Sequence, residues 1–111
     1  MLNPGDVVVV DVVKIRETKH RPAIVVSTEV YHKYKPDIII GILTTQMEKS
    51  KSPTDYLLTD WKSAGLNQPS AFRAFLYTYP GRDTKRIGKL IPADWTAVQE
   101  RLRISIDTGT L

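Results

Sequence analysis

The sequence predicts a small, mainly β domain of the α+β class, built as a barrel or sandwich of about five or six strands with one C-terminal amphipathic helix. The first half carries runs of β-branched residues, which favour strands. The C-terminal part instead spaces its apolar residues at helical intervals. The length of 111 residues allows one hydrophobic core and predicts a single domain over residues 1–111.

Three runs rich in Val and Ile predict the strands of the first half, at residues 7–13, 23–26 and 38–43. The runs are nearly continuous rather than alternating, so we expect strands covered on both faces or a small closed barrel. Segment 14–21 is polar and mostly basic, and it predicts an exposed hairpin loop. Segment 46–53 predicts a second polar loop.

The second half carries weaker β signals. Residues 56–58 and 70–77 predict two further strands, and the turn residues between 61 and 69 separate them. Segment 81–89 is basic and has room for one short helical turn.

The C-terminal helix is predicted from residue 93 onward. Trp95, Val98 and Leu102 fall on one helical face and are expected to pack on the core. Pro92 and Asp94 lie where a helix begins, because proline suits the first helical position and an acidic residue suits the first turn.

Composition excludes several classes of function. The chain has no cysteine, so disulfides and thiolate metal sites are ruled out and a reducing cytoplasm is the expected compartment. His20 and His32 show no metal-ligand spacing, and we expect neither a metal nor a cofactor. The 6 glycines form no phosphate-binding loop, and no hydrolase elbow is present. No apolar run approaches the roughly 18–20 residues of a membrane span.

The charge balance points to an anionic partner. The 16 Lys and Arg residues exceed the 12 Asp and Glu residues by 4, which gives a formal net charge of +4. Basic residues concentrate in segments 14–21 and 82–89. Clusters of this kind hold a phosphate backbone where they flank a groove, and the alternative is two solvated loops.

Five short motifs follow one another along the chain. They are Gly-Asp at 5–6, His-Arg-Pro-Ala-Ile-Val-Val-Ser at 20–27, Ile-Leu-Thr-Thr-Gln at 42–46, Gly-Leu at 65–66 with Pro-Ser-Ala-Phe-Arg at 69–73, and Ile-Gly-Lys-Leu at 87–90. Together and in this order they resemble the MazF/PemK/Kid family of toxins from bacterial toxin–antitoxin modules. The resemblance runs from about residue 4 to residue 106, nearly the whole chain.

The resemblance implies a fold, an activity and partners. The fold would be a small SH3-like barrel of the CcdB/Kid/MazF kind that forms a homodimer. The activity would be that of an endoribonuclease that cleaves single-stranded mRNA at specific sequences without a metal, and a cognate acidic antitoxin would mask the groove. Some relatives on this fold poison DNA gyrase instead, so a non-catalytic toxin or an RNA-binding module is the alternative.

The resemblance also implies roles for individual residues. Arg21 matches a catalytic arginine, and a guanidinium suits a phosphate because it can donate two parallel hydrogen bonds. Thr44 matches a catalytic threonine, and Arg73 matches an arginine that assists. Two candidates for the proton acceptor stay open, Glu17 and His20.

Other residues are expected to contact RNA at the rim of the groove. They are Lys19, His20, Ser27, Thr45, Gln46, Arg82, Lys85 and Arg86. For Ser27 the alternative is that it only ends its strand. One branch of the family has Arg-x-Asp where this chain has Arg-Ala-Phe at 73–75, so Phe75 replaces the acid. We interpret Phe75 as a core residue, with a stacking surface for a base as the alternative.

Overall fold

The computed structural model describes residues 1–14, 17–46 and 51–109, and the side chains of residues 12–19 lie outside this description. The described residues form six strands and two α-helices. In chain order they are β1 (Asp6–Lys14), β2 (Glu17–Val25), α1 (Glu29–Tyr34), β3 (Asp37–Thr44), β4 (Tyr56–Leu57), β5 (Ala71–Pro80), β6 (Lys85–Lys89) and α2 (Pro92–Ser105).

The six strands belong to one antiparallel sheet in the order β4-β5-β3-β2-β1-β6. The sheet curls into a half-barrel, and its register shifts at two places where extra residues bend the strands. One shift lies between Val7 and Val8 of β1. The other lies between Gly41 and Leu43 of β3, opposite a stretch of β5 that contains Ala74 with a left-handed φ of 57°. The predicted mainly β fold with a C-terminal helix is confirmed.

Both faces of the sheet are buried, as the continuous apolar runs predicted. One cluster consists of Val7, Ile24, Leu43, Leu58, Ala64, Phe72, Leu90 and Val98. The second consists of Val8, Val10, Ala23, Val25, Ile38 and Ile40. Successive strand residues point to opposite faces, so the neighbours Val7 and Val8 are both fully buried, each in a different cluster. Trp95 and Leu102 of α2 pack against the first cluster, as predicted.

The hairpin between β1 and β2 is longer than its composition predicts. The exposed loop expected at 14–21 is wrong from residue 17 onward, because β2 begins there and pairs with β1 as far as Lys14 opposite Glu17. His20 and Arg21 are therefore strand residues. Strand pairing uses the backbone and accepts polar side chains, so this stretch carries no apolar signal that marks a strand.

Two elements have no counterpart among the predicted ones. The helix α1 is too short to show a helical repeat and buries none of its residues. The hydroxyl of Thr28 caps it by accepting a hydrogen bond from the N–H of Tyr31 (3.3 Å). The strand β6 lies in the basic segment 81–89 and pairs with β1. The short helical turn expected in that segment is the 3₁₀ turn Gly81–Asp83.

The helix α2 begins at Pro92, as predicted, and a buried carboxylate ties it to the segment after β4. Asp94 accepts hydrogen bonds from the hydroxyls of Tyr56 (2.7 Å) and Thr59 (2.8 Å) and from the N–H groups of Thr59 (3.1 Å) and Asp60 (3.0 Å). Burial alone would raise the pKa of Asp94, but the hydrogen bonds outweigh it and lower the pKa below its ordinary value. Burial, followed by the hydrogen bond to Asp94, raises the pKa of Tyr56.

Two of the motif glycines hold the segment after β4 against β6. A Cβ atom at Gly88 would lie 2.1 Å from the carbonyl oxygen of Ala64, and one at Gly65 would lie 2.2 Å from that of Ile87. Gly65 also has a left-handed φ of +86°. Only glycine allows the two backbones to approach this closely, so the Gly-Leu and Ile-Gly-Lys-Leu motifs form one structural feature. It fixes the starting point of residues 66–70, which border the cleft described next.

Candidate nucleic-acid cleft

A cleft of about 460 Å³ opens where β2, the end of β3 and residues 66–70 meet. The described residues that line it are His20, Arg21, Pro22, Leu43, Thr45, Leu66, Asn67, Gln68 and Ser70. Three of them are apolar, and the others offer one guanidinium, one imidazole, two amides and two hydroxyls. This combination suits a ligand that has both a phosphate and a base, because the cation can hold the phosphate while amides read hydrogen-bonding edges.

Arg21 lines the cleft from β2, in the part of the strand that pairs with β1. It lies opposite Val10 of β1, and the next residue, Pro22, lies opposite Val9. The arginine is half-buried, so its stem is held by its neighbours while the residue still lines the cleft. A guanidinium held in this way can bind a phosphate through two parallel hydrogen bonds.

His20 is paired with a carboxylate across the hairpin. His20 and Asp11 are directly opposite in the register of β1 and β2, and Nδ1 of the imidazole lies 2.5 Å from Oδ1 of the carboxylate. Their side chains are 75% and 49% exposed, so solvent and a ligand can both reach the imidazole. The N–H of Asp11 donates a hydrogen bond to the hydroxyl of Tyr79 (3.3 Å), which links the pair to β5.

The threonine pair at the end of β3 is divided between two environments. Thr45 directly follows the last residue of β3 and lines the cleft together with Leu43. Thr44 is not among the lining residues, and its Oγ1 accepts a hydrogen bond from the N–H of Gln46 (3.1 Å). Gln46 is exposed at the turn that follows. Thr45 therefore lines the cleft with Arg21, and the catalytic role of Thr44 stays a prediction.

Arg73 lies on β5, outside the residues that line the cleft. Its side chain is 24% exposed, and its Nε is 3.9 Å from Oδ2 of the buried Asp55 carboxylate. Its guanidinium stacks on Phe75 at 4.9 Å from the ring centre. Phe75 is 49% exposed, so our interpretation of Phe75 as a core residue is wrong. Alternation explains the exposure, since Phe72 and Ala74 face the first apolar cluster and turn Phe75 to the other side.

Ser27 lies beyond the other end of β2 and is buried. Its Oγ accepts a hydrogen bond from the N–H of Ile39 (3.0 Å) and lies 2.5 Å from Nε2 of His32. The Nδ1 of His32 in turn lies 3.1 Å from the carbonyl oxygen of Leu2. Ser27 therefore joins β3 to α1, and the geometry favours the interpretation that it ends its strand over the one that it binds RNA.

The acid of the Gly-Asp motif is part of the packing. Asp6 is 1% exposed, accepts a hydrogen bond from the N–H of Asn3 (2.8 Å) and lies 3.2 Å from Nε of Arg86. Arg86 is thus engaged by a buried carboxylate, although half of its side chain stays exposed. A phosphate that approached Arg86 would have to share it with Asp6.

Lys85 lies on the same face of the sheet as the cleft. It is opposite Val9, and Val9 is opposite Pro22, which lines the cleft. Residues opposite each other in antiparallel strands share a face, and two strand spacings separate Lys85 from Pro22 by about 10 Å. Arg82 is 89% exposed on the 3₁₀ turn that precedes β6, with Asp83 at 4.0 Å.

Glu17 and Lys19 begin β2, but their side chains lie outside the described residues. Within the described residues, no group of three or more His, Cys, Asp or Glu side chains is arranged to hold a metal ion. None of the described helices has both the length and the apolar character that crossing a membrane requires.

Sequence reasoning missed four residues at this site. Asp11 interrupts a Val run, and that placement of a carboxylate within a strand is the signal that could have marked it. Asn67 and Gln68 line the cleft, although the sequence indicates only a turn there, and Ser70 lines it from the start of the predicted strand at 70–77. The hydroxyl of Ser70 donates to the carbonyl of Gln68 (3.0 Å), so Ser70 shapes the loop as well.

The fold of this chain is similar to that of several solved proteins. An endoribonuclease from a mycobacterial species, solved with its cognate antitoxin, has a TM-score of 0.76 at 16% identity over 97% of each chain. The Mycobacterium tuberculosis toxin MazF-mt6 has a TM-score of 0.73 at 22% identity over 92% of this chain and 96% of that one. A MazE–MazF structure from Deinococcus radiodurans has a TM-score of 0.76 at 14% identity over 96% of each chain.

Residues 3–106 match the family of PemK-like, MazF-like toxins of type II toxin–antitoxin systems, so the chain belongs to this family. The match agrees with the resemblance that the five motifs carry. Among curated proteins, no sequence matches this chain. The sequence identity to these solved structures is below 25%, so the similarity shows the fold alone.

Proposed function

We propose that this chain is a metal-independent endoribonuclease that cleaves single-stranded mRNA at specific sequences, as the toxin of its module. The observation that carries the proposal is the cleft in which Arg21, His20 and Thr45 come together. Family membership supports it, because solved proteins of this fold are described as endoribonucleases.

The proposed reaction uses a nucleophile that RNA itself carries. The 2′-hydroxyl attacks the neighbouring phosphorus, and negative charge builds on the non-bridging oxygens of the phosphate. The guanidinium of Arg21 stabilises that charge, which is the largest catalytic effect that one side chain can supply here. In this proposal the hydroxyl of Thr45, which lines the same cleft, donates to the phosphate, and the turn from Thr44 to Gln46 contacts the next nucleotide.

The amides explain how the site can select a sequence. Asn67 and Gln68 present donors and acceptors that can pair with the edges of unstacked bases. Lys85 and Arg82 lie farther out and contribute a salt-dependent attraction to the phosphate backbone that does not depend on the sequence.

The experiment compares the wild type with Arg21→Ala on a long single-stranded RNA of mixed sequence, in EDTA. Loss of one charge-stabilising group should slow cleavage by about 10²–10³-fold. Arg103→Ala is the matched control, since Arg103 lies exposed on α2 and pairs with Glu100. It should stay within about twofold of the wild type. Equal cleavage by the wild type and a folded Arg21→Ala would contradict the assignment.

The partners follow from the same comparison. Solved structures of this fold include toxins in complex with their antitoxins, and an acidic antitoxin segment would fit a chain of net charge +4. We also propose a cytoplasmic homodimer, in which two copies together offer a longer path for RNA than one cleft of about 460 Å³. Sedimentation should give twice the mass of the chain, and a monomer at micromolar concentration would contradict this part.

A non-catalytic toxin is the second candidate, and Phe75 favours it. The ring is exposed and takes the place of the acid that one branch of the family uses, while Arg73 stacks on it rather than lining the cleft. This candidate predicts no cleavage of any RNA sequence together with growth arrest, through inhibition of DNA gyrase or tight binding of RNA.

A further inference from the structure

We infer that His20 is the proton acceptor of the proposed ribonuclease and that Asp11 is the residue that positions it. The inference rests on the proposed function and adds to it a residue, Asp11, for which the sequence indicated no role. It is carried by the contact between Nδ1 of His20 and Oδ1 of Asp11 at 2.5 Å, beside the cleft that His20 lines.

The contact between His20 and Asp11 decides which nitrogen of the imidazole is available to accept a proton. A carboxylate can only accept a hydrogen bond, so Nδ1 of His20 must carry a proton when it faces Asp11. In the neutral ring the lone pair is then on Nε2. The hairpin register holds this arrangement, because Asp11 and His20 are opposite each other and the pairs on either side continue in register. The hydrogen bond from the backbone N–H of Asp11 to the hydroxyl of Tyr79 further fixes the backbone that carries the carboxylate.

The cleft contains one described side chain suited to accept the proton. Among the described residues that line it, a guanidinium has no lone pair to offer and the amides and hydroxyls are weakly basic, so the imidazole of His20 is the one described group suited to accept a proton. The position that carries an acid in one branch of the family is Phe75, which cannot serve. Among the described side chains, the carboxylate of Asp11 from β1 contacts His20, the guanidinium of Arg21 from β2 lines the same cleft, and the hydroxyl of Tyr79 from β5 accepts from the backbone N–H of Asp11.

In the proposed reaction, His20 takes up one proton from the RNA and later returns it. The 2′ oxygen gives its proton to Nε2 of His20 and forms a bond to phosphorus, while Arg21 neutralises the developing charge. The bond from phosphorus to the 5′ oxygen breaks, and that oxygen takes a proton from water. The imidazolium then returns its proton to the hydroxide that remains. The products are a 2′,3′-cyclic phosphate and a 5′-hydroxyl. Asp11 accepts the hydrogen bond from His20 throughout and neither gains nor loses a proton.

The test measures cleavage of a short RNA that contains the mapped cut site, for the wild type, Asp11→Asn, His20→Gln and the double variant. His20→Gln should lower kcat by about 10²–10⁴-fold. Asp11→Asn should lower it by about 10–100-fold, because the partner of the imidazole no longer selects the tautomer. In the double variant the loss should equal that of His20→Gln alone, since Asp11 acts through His20.

Two further measurements separate positioning from folding and binding. The affinity for the same RNA with a 2′-O-methyl group at the cut site should change by less than about threefold in each variant, because both residues are exposed. The acidic limb of the pH–rate profile should be present in the wild type and absent in His20→Gln. Glu100→Gln removes an exposed carboxylate on α2, away from the cleft, and should behave as the wild type.

The outcomes distinguish the role of the His20–Asp11 pair from the proposed ribonuclease activity itself. Wild-type rates in His20→Gln, with Arg21→Ala inactive, would overturn the role of the pair and leave the ribonuclease standing. Losses that multiply in the double variant would show that Asp11 does not act through His20 and would overturn its positioning role. A wild-type protein that cleaves no RNA would overturn both.

Discussion

Replacing Asp94 with asparagine tests whether one buried carboxylate holds α2 against the sheet. The two oxygens of Asp94 accept from the hydroxyls of Tyr56 and Thr59 and from the N–H groups of Thr59 and Asp60, all within 3.2 Å. Asparagine has nearly the same size, so the substitution changes charge and hydrogen bonding while leaving the packing intact.

The expected loss follows from the contacts. Asparagine keeps one oxygen and turns an NH₂ group toward donors, so Oδ2 no longer accepts from Asp60, and a buried donor left unpaired costs about 1–3 kcal/mol. The remaining bonds lose the charge that strengthens them, which brings the expected loss to about 2–4 kcal/mol. For a chain of this size that loss lowers Tm by about 8–16 °C.

Urea unfolding of the wild type and Asp94→Asn at pH 7 and pH 3 measures the loss and its cause. The folded pKa of Asp94 is lowered, so its contribution is fully present above the unfolded value near 3.9 and declines as the pH falls through the folded value. The difference between the two proteins should therefore shrink at pH 3. Asp83→Asn is the control and should change stability by less than about 0.5 kcal/mol. A difference below 0.5 kcal/mol at pH 7, or one independent of pH, would refute the reasoning.

Two other substitutions test the packing that supports the cleft. Gly88→Ala should lower the free energy of unfolding by about 1–3 kcal/mol or more, because the new Cβ would lie 2.1 Å from a backbone carbonyl oxygen. Gly81→Ala is the control. Its Cβ would lie 3.4 Å from the nearest atom, so the loss should be less than about 1 kcal/mol. Thermal unfolding of the two alanine variants compares them, and equal Tm values would contradict the close approach. Ser27→Ala should cost about 1–3 kcal/mol, because the N–H of Ile39 loses its partner, whereas Ser105→Ala removes an exposed hydroxyl and should stay within about 0.5 kcal/mol. Denaturant midpoints check this pair, and a Ser27→Ala midpoint equal to that of the wild type would count against a structural role for the hydroxyl.

The elements that the sequence predicts well are those with a signal inside a short window. The Val and Ile runs identify β1 and β3, and the spacing of Trp95, Val98 and Leu102 identifies α2. The polar part of β2 has no such signal, and neither does α1, which buries none of its residues. Both elements depend on contacts with neighbours rather than on their own apolar pattern.

The residues of the candidate site also differ in whether a local sequence signal predicts them. The motifs predict Arg21 and Thr45 as neighbours of one groove, and the cleft contains both. They do not predict that Phe75 is exposed, because its exposure depends on which face of its strand it occupies. They also miss Asp11, whose partner His20 becomes a neighbour only when the hairpin closes.

The sequence by itself determined the fold class, the C-terminal helix and the family. Strand propensity, the helical spacing of apolar residues and the order of the motifs can all be seen in the sequence without knowing which residues meet in space. The tertiary structure alone decided which side chains share the cleft. Strand register pairs Asp11 with His20, and the clash-free approach of Gly65 and Gly88 brings residues 66–70 beside β2 and β3. A shift of one residue in register would turn every side chain of a strand to its other face, so chemistry at this site depends on pairing that no local pattern encodes.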